Sequence, residues 1–296
     1  LYDYMSQILI ELVKFANLVV SISRALASAK RVQTALDTDS ETENEKRHET
    51  SDSYIEFRNV GVKYTDGSVG VKNINFKAGK GDTIGIIGGT GSGKSTIVNL
   101  LPRLYDASEG TVFLDGKDVK SYSLKELRKK IGIALQRPAV FKGTIRSNVS
   151  PLGDLSDENI NAGIEKAQAA DVVKAKENGI DSVLEQNGRN LSGGQRQRIS
   201  VARALAKRPE VLILDDSSSA LDYITDLKLR RAIKNSDYPV TTFIVSQRAS
   251  SVAGADKIIV MDEGEIVGIG TADELRKTCS VFRETEASQM SGEAKK

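Results

Sequence analysis

The sequence contains a single cysteine, Cys279, so no internal disulfide can form, and a reducing setting is expected for the folded part. It contains a single histidine, His48, inside a polar run, so no other imidazole can carry a protonated charge anywhere in the chain. Excess charge of one sign is also missing. Forty-two Lys and Arg against 40 Asp and Glu leave a formal net charge of +2, which argues against a strongly basic nucleic-acid binder. There is no internal repeat, and no uninterrupted apolar run of the kind that makes a simple membrane span. What remains is 39% hydrophobic and 28% charged, ordinary for a globular protein, over 296 residues that suit one large domain or two smaller ones.

The chain opens inside an expected helix, so Leu1 is read as an artificial start. From Tyr4 to Ile22 most residues are apolar, but Gln7, Glu11, Lys14, Asn17 and Ser21 recur at steps of three and four, on one helical face. Charges are costly in hydrocarbon, so a helix bearing Glu11 and Lys14 suits a water-filled pathway better than a lipid-facing position. Packing on a soluble core is the other reading of the same pattern. Arg24, Lys30 and Arg31 suit a cytoplasmic helix end. Residues 1–36 are therefore expected to form one unit. Residues 37–53, nearly free of apolar side chains, read as a solvated linker. From Tyr54, short β-rich runs give way to alternating helical and strand segments, which predicts an α/β fold with a mostly parallel sheet. Val211–Leu214 and Thr242–Val245 are continuous apolar runs suited to buried strands. Ile258–Met261 and Glu265–Ile269, joined by Glu263-Gly264, read as a hairpin, and Thr271 with Glu274 as a capping box opening a last helix. Residues 287–296 are expected to be a flexible tail.

Three segments carry chemistry. Gly88-Gly89-Thr90-Gly91-Ser92-Gly93-Lys94-Ser95 follows an apolar strand, Thr83–Ile87, and fits G-x-x-x-x-G-K-[ST]. Glycines let backbone N–H groups converge on phosphate oxygens, a lysine reaches the β and γ phosphates, and the serine hydroxyl suits Mg²⁺. A helix opening at Lys94 adds its positive dipole end. Val211–Asp215 is an apolar strand ending in a carboxylate, resembling an element that holds Mg²⁺ through its water shell. Between the two lies Leu191-Ser192-Gly193-Gly194-Gln195.

In this order and combination the segments resemble the nucleotide-binding domain of an ATP-binding cassette (ABC) transporter. The resemblance covers Tyr54 to about Glu284. It implies an α/β P-loop NTPase (RecA-like) core with an antiparallel β subdomain and an α-helical signature subdomain, preceded by one long helix, with the ABC domain over residues 54–286. It implies ATP and Mg²⁺ as cofactors, cradled by Gly88 through Ser95 and Thr96, with Ser95, Gln136 and Asp215 at the metal. Tyr64 stands where the family has its adenine-stacking aromatic. Ser192, Gly193, Gly194 and Gln195 would touch the γ-phosphate held by the other domain of a dimer, and Ser219-Ala220-Leu221-Asp222 would cross that interface. Gln136 resembles the family's Q-loop glutamine, and Phe141-Lys142-Gly143-Thr144-Ile145-Arg146 resembles exporters in particular. The N-terminal segment looks like the last transmembrane helix of an exporter half, which places the chain at the cell membrane with its nucleotide domain on the cytoplasmic side.

Two departures qualify the resemblance. Asp216 and Gln247 occupy the catalytic positions where the family has a glutamate and a switch histidine. Aspartate is one methylene shorter, which withdraws the carboxylate by about 1.5 Å. Proton abstraction needs contact within about 3 Å, so the loss is serious. Glutamine can donate to a phosphate but carries no charge. Gln186 similarly replaces a glutamate common in exporters. The combination implies ATP binding with weak hydrolysis, and a different half-transporter as partner, since an intact signature serves the other chain's site. A homodimeric exporter half and a nucleotide-gated module without significant hydrolysis are the alternatives. A chromosome-maintenance ATPase is disfavoured because the interval from Gln136 to Leu191 is too short for its coiled coil. A soluble importer ATPase is disfavoured by the attached N-terminal helix. No nucleic acid is expected as a partner.

Overall fold

The computed structural model describes residues 2–37, 49–64, 66–217 and 219–293. His48 and most of the expected linker, together with residues 294–296 of the expected tail, lie outside them. The chain divides into two compact units, residues 1–43 and 44–296.

Among the described residues the first unit holds one helix, α1 (Tyr2–Leu36), longer than the apolar run alone suggests because no glycine or proline interrupts Ser23 to Leu36. Thirty-five residues at 1.5 Å each give about 50 Å, more than the roughly 30 Å of a bilayer's hydrocarbon. Its most apolar 18-residue window has a mean hydropathy of 1.6, so by length and composition the helix could cross a membrane. Lys14 Nζ lies 2.8 Å from Glu11 Oε1, so the two charges of the apolar stretch pair with each other.

In the second unit, β1 (Ile55–Lys63), β2 (Val69–Ala78), β4 (Glu109–Leu114) and β5 (Lys117–Asp118) form an antiparallel sheet in the order β2-β1-β4-β5. The end of the expected linker joins it: Thr50 bridges Lys117, and Ser51 N–H donates to Gly116 O at 3.0 Å. The larger sheet has six strands. Its order is β12 (Glu265–Gly270), β11 (Lys257–Asp262), β3 (Thr83–Gly88), β10 (Thr241–Ser246), β9 (Val211–Asp215) and β6 (Ile131–Ala134). All pairings are parallel except β11 with β12, whose turn Glu263-Gly264 has φ of +44° and +81°. Left-handed backbone at both central positions is what a tight hairpin needs, which is why the Gly264 signal reads correctly from sequence. Two short strands, β7 (Gly143–Thr144) and β8 (Val183–Leu184), pair separately.

Alternation along the strands divides the core between the two faces of the large sheet. Ile84, Ile86, Ile213, Phe243, Val245 and Ile259 face the antiparallel sheet, α2 (Lys94–Leu100) and α3 (Leu124–Lys130). Ile87, Leu212, Leu214, Ile244 and Val260 face the helices α4 (Ile145–Val149), α5 (Asp157–Lys166), α6 (Ala170–Lys174), α7 (Gly193–Ala206), α8 (Tyr223–Lys234) and α9 (Ala249–Val252). The same layer holds α10 (Ala272–Thr278) and α11 (Ser280–Glu293). Thr271 and Glu274 form the expected capping box of α10. Helix α11 continues through residues 287–293 of the segment expected as a flexible tail, with Gln289 hydrogen-bonded to the backbone near β10.

Candidate functional site

Strands β11, β3, β10, β9 and β6 run parallel, so their C-terminal ends share one edge of the sheet, where ligands of open α/β folds bind. That edge collects residues remote in sequence. The glycine loop leaves β3, Asp215 ends β9, Gln247 follows β10 and Gln136 follows β6. The register fixes their neighbourhood: Gly88 is opposite Met261, Asp215 opposite Val245 and Ala134 opposite Leu214.

Backbone crowding explains the glycines of the loop. A Cβ on Gly88 would lie 2.2 Å from Met261 O, so only glycine lets β3 hand the chain to the loop here. Gly93 has φ +93°, and a Cβ would lie 2.4 Å from Val71 Cγ1. The loop closes around its own lysine: Lys94 Nζ donates to Gly88 O at 2.8 Å and also to Gly89 O. Desolvation lowers the Lys94 pKa, and the carboxylates of Asp215 and Asp216 oppose that shift. Burial likewise raises the pKa of Asp215, against the Ser95 hydrogen bond and with a further push from Asp216. Burial also raises Asp216, opposed by the Gln136 amide, Arg248 and Lys94. Two neighbouring carboxylates and one ammonium thus share a partly dehydrated pocket, a setting that rewards an arriving cation.

Ser95 Oγ donates to Asp215 Oδ1 at 3.1 Å. A hydroxyl and a carboxylate oxygen on adjacent elements are hard donors that fit Mg²⁺, an ion that keeps waters and substrate phosphates as its other ligands. Among the described residues no group of three or more His, Cys, Asp or Glu could hold a metal ion. Gln136 Nε2 donates to Asp216 Oδ2 at 3.0 Å, so the structure brings Gln136 to the candidate base. Asp216 adopts φ +45°, a left-handed conformation that aspartate tolerates better than longer side chains.

Beside the loop is a cleft of about 310 Å³ lined by Tyr64, Val69, Gly70, Gly91, Gly93, Lys94, Ser95 and Thr96. Tyr64 is fixed there by a 2.7 Å hydrogen bond between its hydroxyl and Thr96 Oγ1, and by Tyr105, edge-on at 5.7 Å. A Cβ on Gly70 would lie 2.8 Å from the Tyr64 ring, so glycine makes room for it.

Ser192 to Gln195 form a distinct feature. Ser192 is the N-cap of α7: its Oγ accepts from Gln195 N–H at 3.2 Å, while Gln195 Oε1 accepts from Ser192 N–H at 2.9 Å. This S-x-x-Q capping box is a local signal legible in sequence but missed there. The Ser192 hydroxyl accepts in that bond, so its proton can be donated outward. Ser192 and Gly193 are exposed, and a Cβ on Gly193 would meet nothing within 4 Å. At Gly194 a Cβ would lie 2.9 Å from Ala220 O, which ties the start of α7 to Ser219–Asp222. Asp222 caps α8, accepting from Thr225 N–H at 2.9 Å and Thr225 Oγ1 at 2.7 Å. Gln186 lies in a short 3₁₀ turn, Gln186–Gly188. Sequence reasoning also missed Thr96 as the Tyr64 partner, Arg248 beside Asp216, and Gln197, whose Nε2 donates to Leu135 O at 3.2 Å and steadies the strand end before Gln136. These are long-range pairings with no local signature.

A family model described as "ABC transporter" matches residues 71–219. The chain is 38% identical over 298 residues to an uncharacterized ABC transporter ATP-binding protein, YfiB, of Bacillus subtilis (strain 168), covering 98% of this chain and 51% of that one. It is 41% identical over 224 residues to an ATP-dependent lipid A-core flippase of Hahella chejuensis, covering 75% of this chain and 38% of that protein. The chain spans about half the length or less of these curated relatives. A solved structure of a bacterial Atm1-family ABC exporter with ATP bound superposes with a TM-score of 0.81 and 29% identity, over 90% of this chain and 48% of the other.

Proposed function

The chain belongs to the ABC transporter family, as a nucleotide-binding domain of exporter type, and from that premise we propose that it binds Mg-ATP, hydrolyses it weakly at its own site, and completes a faster site on a different half-transporter.

In this reading the glycine loop and Lys94 take the phosphates, and the Tyr64 ring supplies the flat apolar face for the base. Ser95 and Asp215 would hold Mg²⁺, which when bound neutralises charge on phosphate oxygens. Asp216 is the base for the attacking water. Its raised pKa suits proton acceptance, but its reach is one methylene short, and Gln136 occupies one of its oxygens. Gln247 donates to the γ-phosphate without the positive charge an imidazolium would bring. Helix α1 would anchor the chain in the membrane, with the nucleotide domain on the cytoplasmic side.

The observation that carries the proposal is an asymmetry within one chain. The start of α7 is complete, capped and outward-facing, whereas the two positions needed for hydrolysis at the chain's own loop carry the shorter acid and the uncharged amide. A homodimer would leave both intact signatures facing weak sites. A heterodimer joins one site that holds ATP for long periods to one that turns over, and long occupancy stabilises the closed pair by mass action. Restoring Asp216→Glu and Gln247→His together tests the weak-site reading. Turnover at this chain's site should rise in the double variant and little in either single one, because the two groups act as a unit. If Asp216→Ala slows the complex as much as removing the partner's own catalytic carboxylate, the weak-site assignment is wrong.

A further inference from the structure

Helix α11 reaches the switch segment through one side chain. Gln289 Oε1 accepts from Ala249 N–H at 2.8 Å, and Gln289 Nε2 donates to Gln247 O at 2.7 Å. One partner is an obligate donor and the other an obligate acceptor, so the amide orientation is unambiguous. A carboxamide is the side-chain group that presents both functions in one plane, and here it spans the backbone on either side of Arg248 as a neighbouring strand would. From the other side, Ser246 Oγ accepts from Arg248 N–H at 3.0 Å. The segment Gln247–Ala249 is thus held between the end of β10 and the last turns of α11. Two of its side chains matter at the site: Gln247 stands at the switch position, and Arg248 acts electrostatically on Asp216. Helix α11 is anchored independently, by fully buried Phe282 and by Glu286 paired with Arg276 at 2.8 Å, so Gln289 is not needed to dock it.

We propose that Gln289 is a positioning residue for the switch segment, through which the C-terminal helix sets how strongly the site distinguishes ATP from ADP. This rests on the reading of Gln247 as the γ-phosphate contact. Without Gln289 the segment keeps its fold but loses the bonds that fix the Gln247 backbone. ATP then loses the γ-phosphate contact, whereas ADP, which has no γ-phosphate, loses nothing.

The test measures ATP and ADP affinities of the full chain as wild type, Gln289→Ala, Gln247→Ala and the double variant, with hydrogen exchange at the Ala249 amide alongside. Each single variant should weaken ATP by about 2- to 10-fold, the size of one hydrogen bond, with ADP unchanged. The double variant should be no weaker than Gln247→Ala, since the first change acts through the second. Ala249 exchange should accelerate in Gln289→Ala. Gln289→Glu adds a readout that a merely structural role would not move. Its ionised carboxylate accepts from Ala249 but repels Gln247 O, and its protonated form can serve both, so discrimination should recover relative to wild type as pH falls. Equal loss for both nucleotides, or additive losses in the double variant, overturns the proposal. A wild type that discriminates alongside a Gln289→Ala chain that discriminates equally also overturns it, and leaves the reading of the site standing. A wild type that does not distinguish ATP from ADP overturns that reading, and this inference with it.

Discussion

Replacing Lys94 by alanine tests the phosphate loop through the group most committed to it. In the structure its ammonium is buried and donates to Gly88 O and Gly89 O. Nucleotide binding must exchange these neutral carbonyls for phosphate oxygens carrying charge, so the net gain is a charge-assisted contact less the bonds given up. Hydrogen bonds to charged groups contribute about 1.5–3 kcal/mol net, which is roughly a 10- to 150-fold change in affinity. The exchange places the expected loss toward the lower half of that range. A second effect works in the same direction. Without the ammonium, the carboxylates of Asp215 and Asp216, which Lys94 otherwise offsets, face the incoming phosphates unopposed. Titration calorimetry of the full chain with Mg-ATP, Mg-ADP and adenosine should show ATP weakened most and ADP less. Adenosine should change little, because it carries no phosphate and the Tyr64 ring keeps its hydrogen bond to Thr96. Equal ATP affinities in wild type and Lys94→Ala, or a matching loss for adenosine, would refute the assignment of the loop.

Two further outcomes follow from packing and charge. Gly194→Ala should destabilise the domain by about 1–3 kcal/mol, as overpacking against Ala220 O does, whereas Gly193→Ala should leave chemical denaturation almost unchanged. Asp215 and Asp216 have folded-state pKa values above their ordinary ones, so their ionisation opposes folding. That penalty is absent below the ordinary aspartate range and develops as pH rises through the elevated values. Asp216→Asn, which can still accept from Gln136, should therefore raise the melting temperature of the nucleotide-free chain at pH 7 and not at pH 3; an unchanged melting temperature at pH 7 would contradict the raised pKa.

The parts legible in sequence are those governed by local rules. The glycine loop shows because left-handed backbone and close approach at Gly88 and Gly93 admit no side chain. The β11–β12 hairpin shows through Glu263-Gly264, and α10 through Thr271 and Glu274. The resemblance carried the rest of the site, including positions whose neighbours could not be read. Gln136 meets Asp216 across 80 residues, and Tyr64 meets Thr96 across 32. Nothing local in residues 287–293 announces that Gln289 binds the backbone at Gln247, 42 residues away, so a polar stretch read as a flexible tail continues as helix. Capping of α7 by Ser192 and Gln195 is legible in their spacing, because an S-x-x-Q pair at a helix start satisfies two backbone N–H groups reciprocally.

Steady-state hydrolysis by this chain alone, and co-expressed with a second half-transporter, separates a signature that serves its partner from one that serves itself. Ser192→Asp is the informative substitution. Aspartate remains a good N-cap, so α7 should keep its start, but it sets a negative charge where the other chain's γ-phosphate would lie. The mixed complex should lose nearly all hydrolysis although the partner's own phosphate loop is untouched, and this chain by itself should turn over slowly. Full activity in the Ser192→Asp complex, or robust hydrolysis by this chain as a homodimer, would contradict the account.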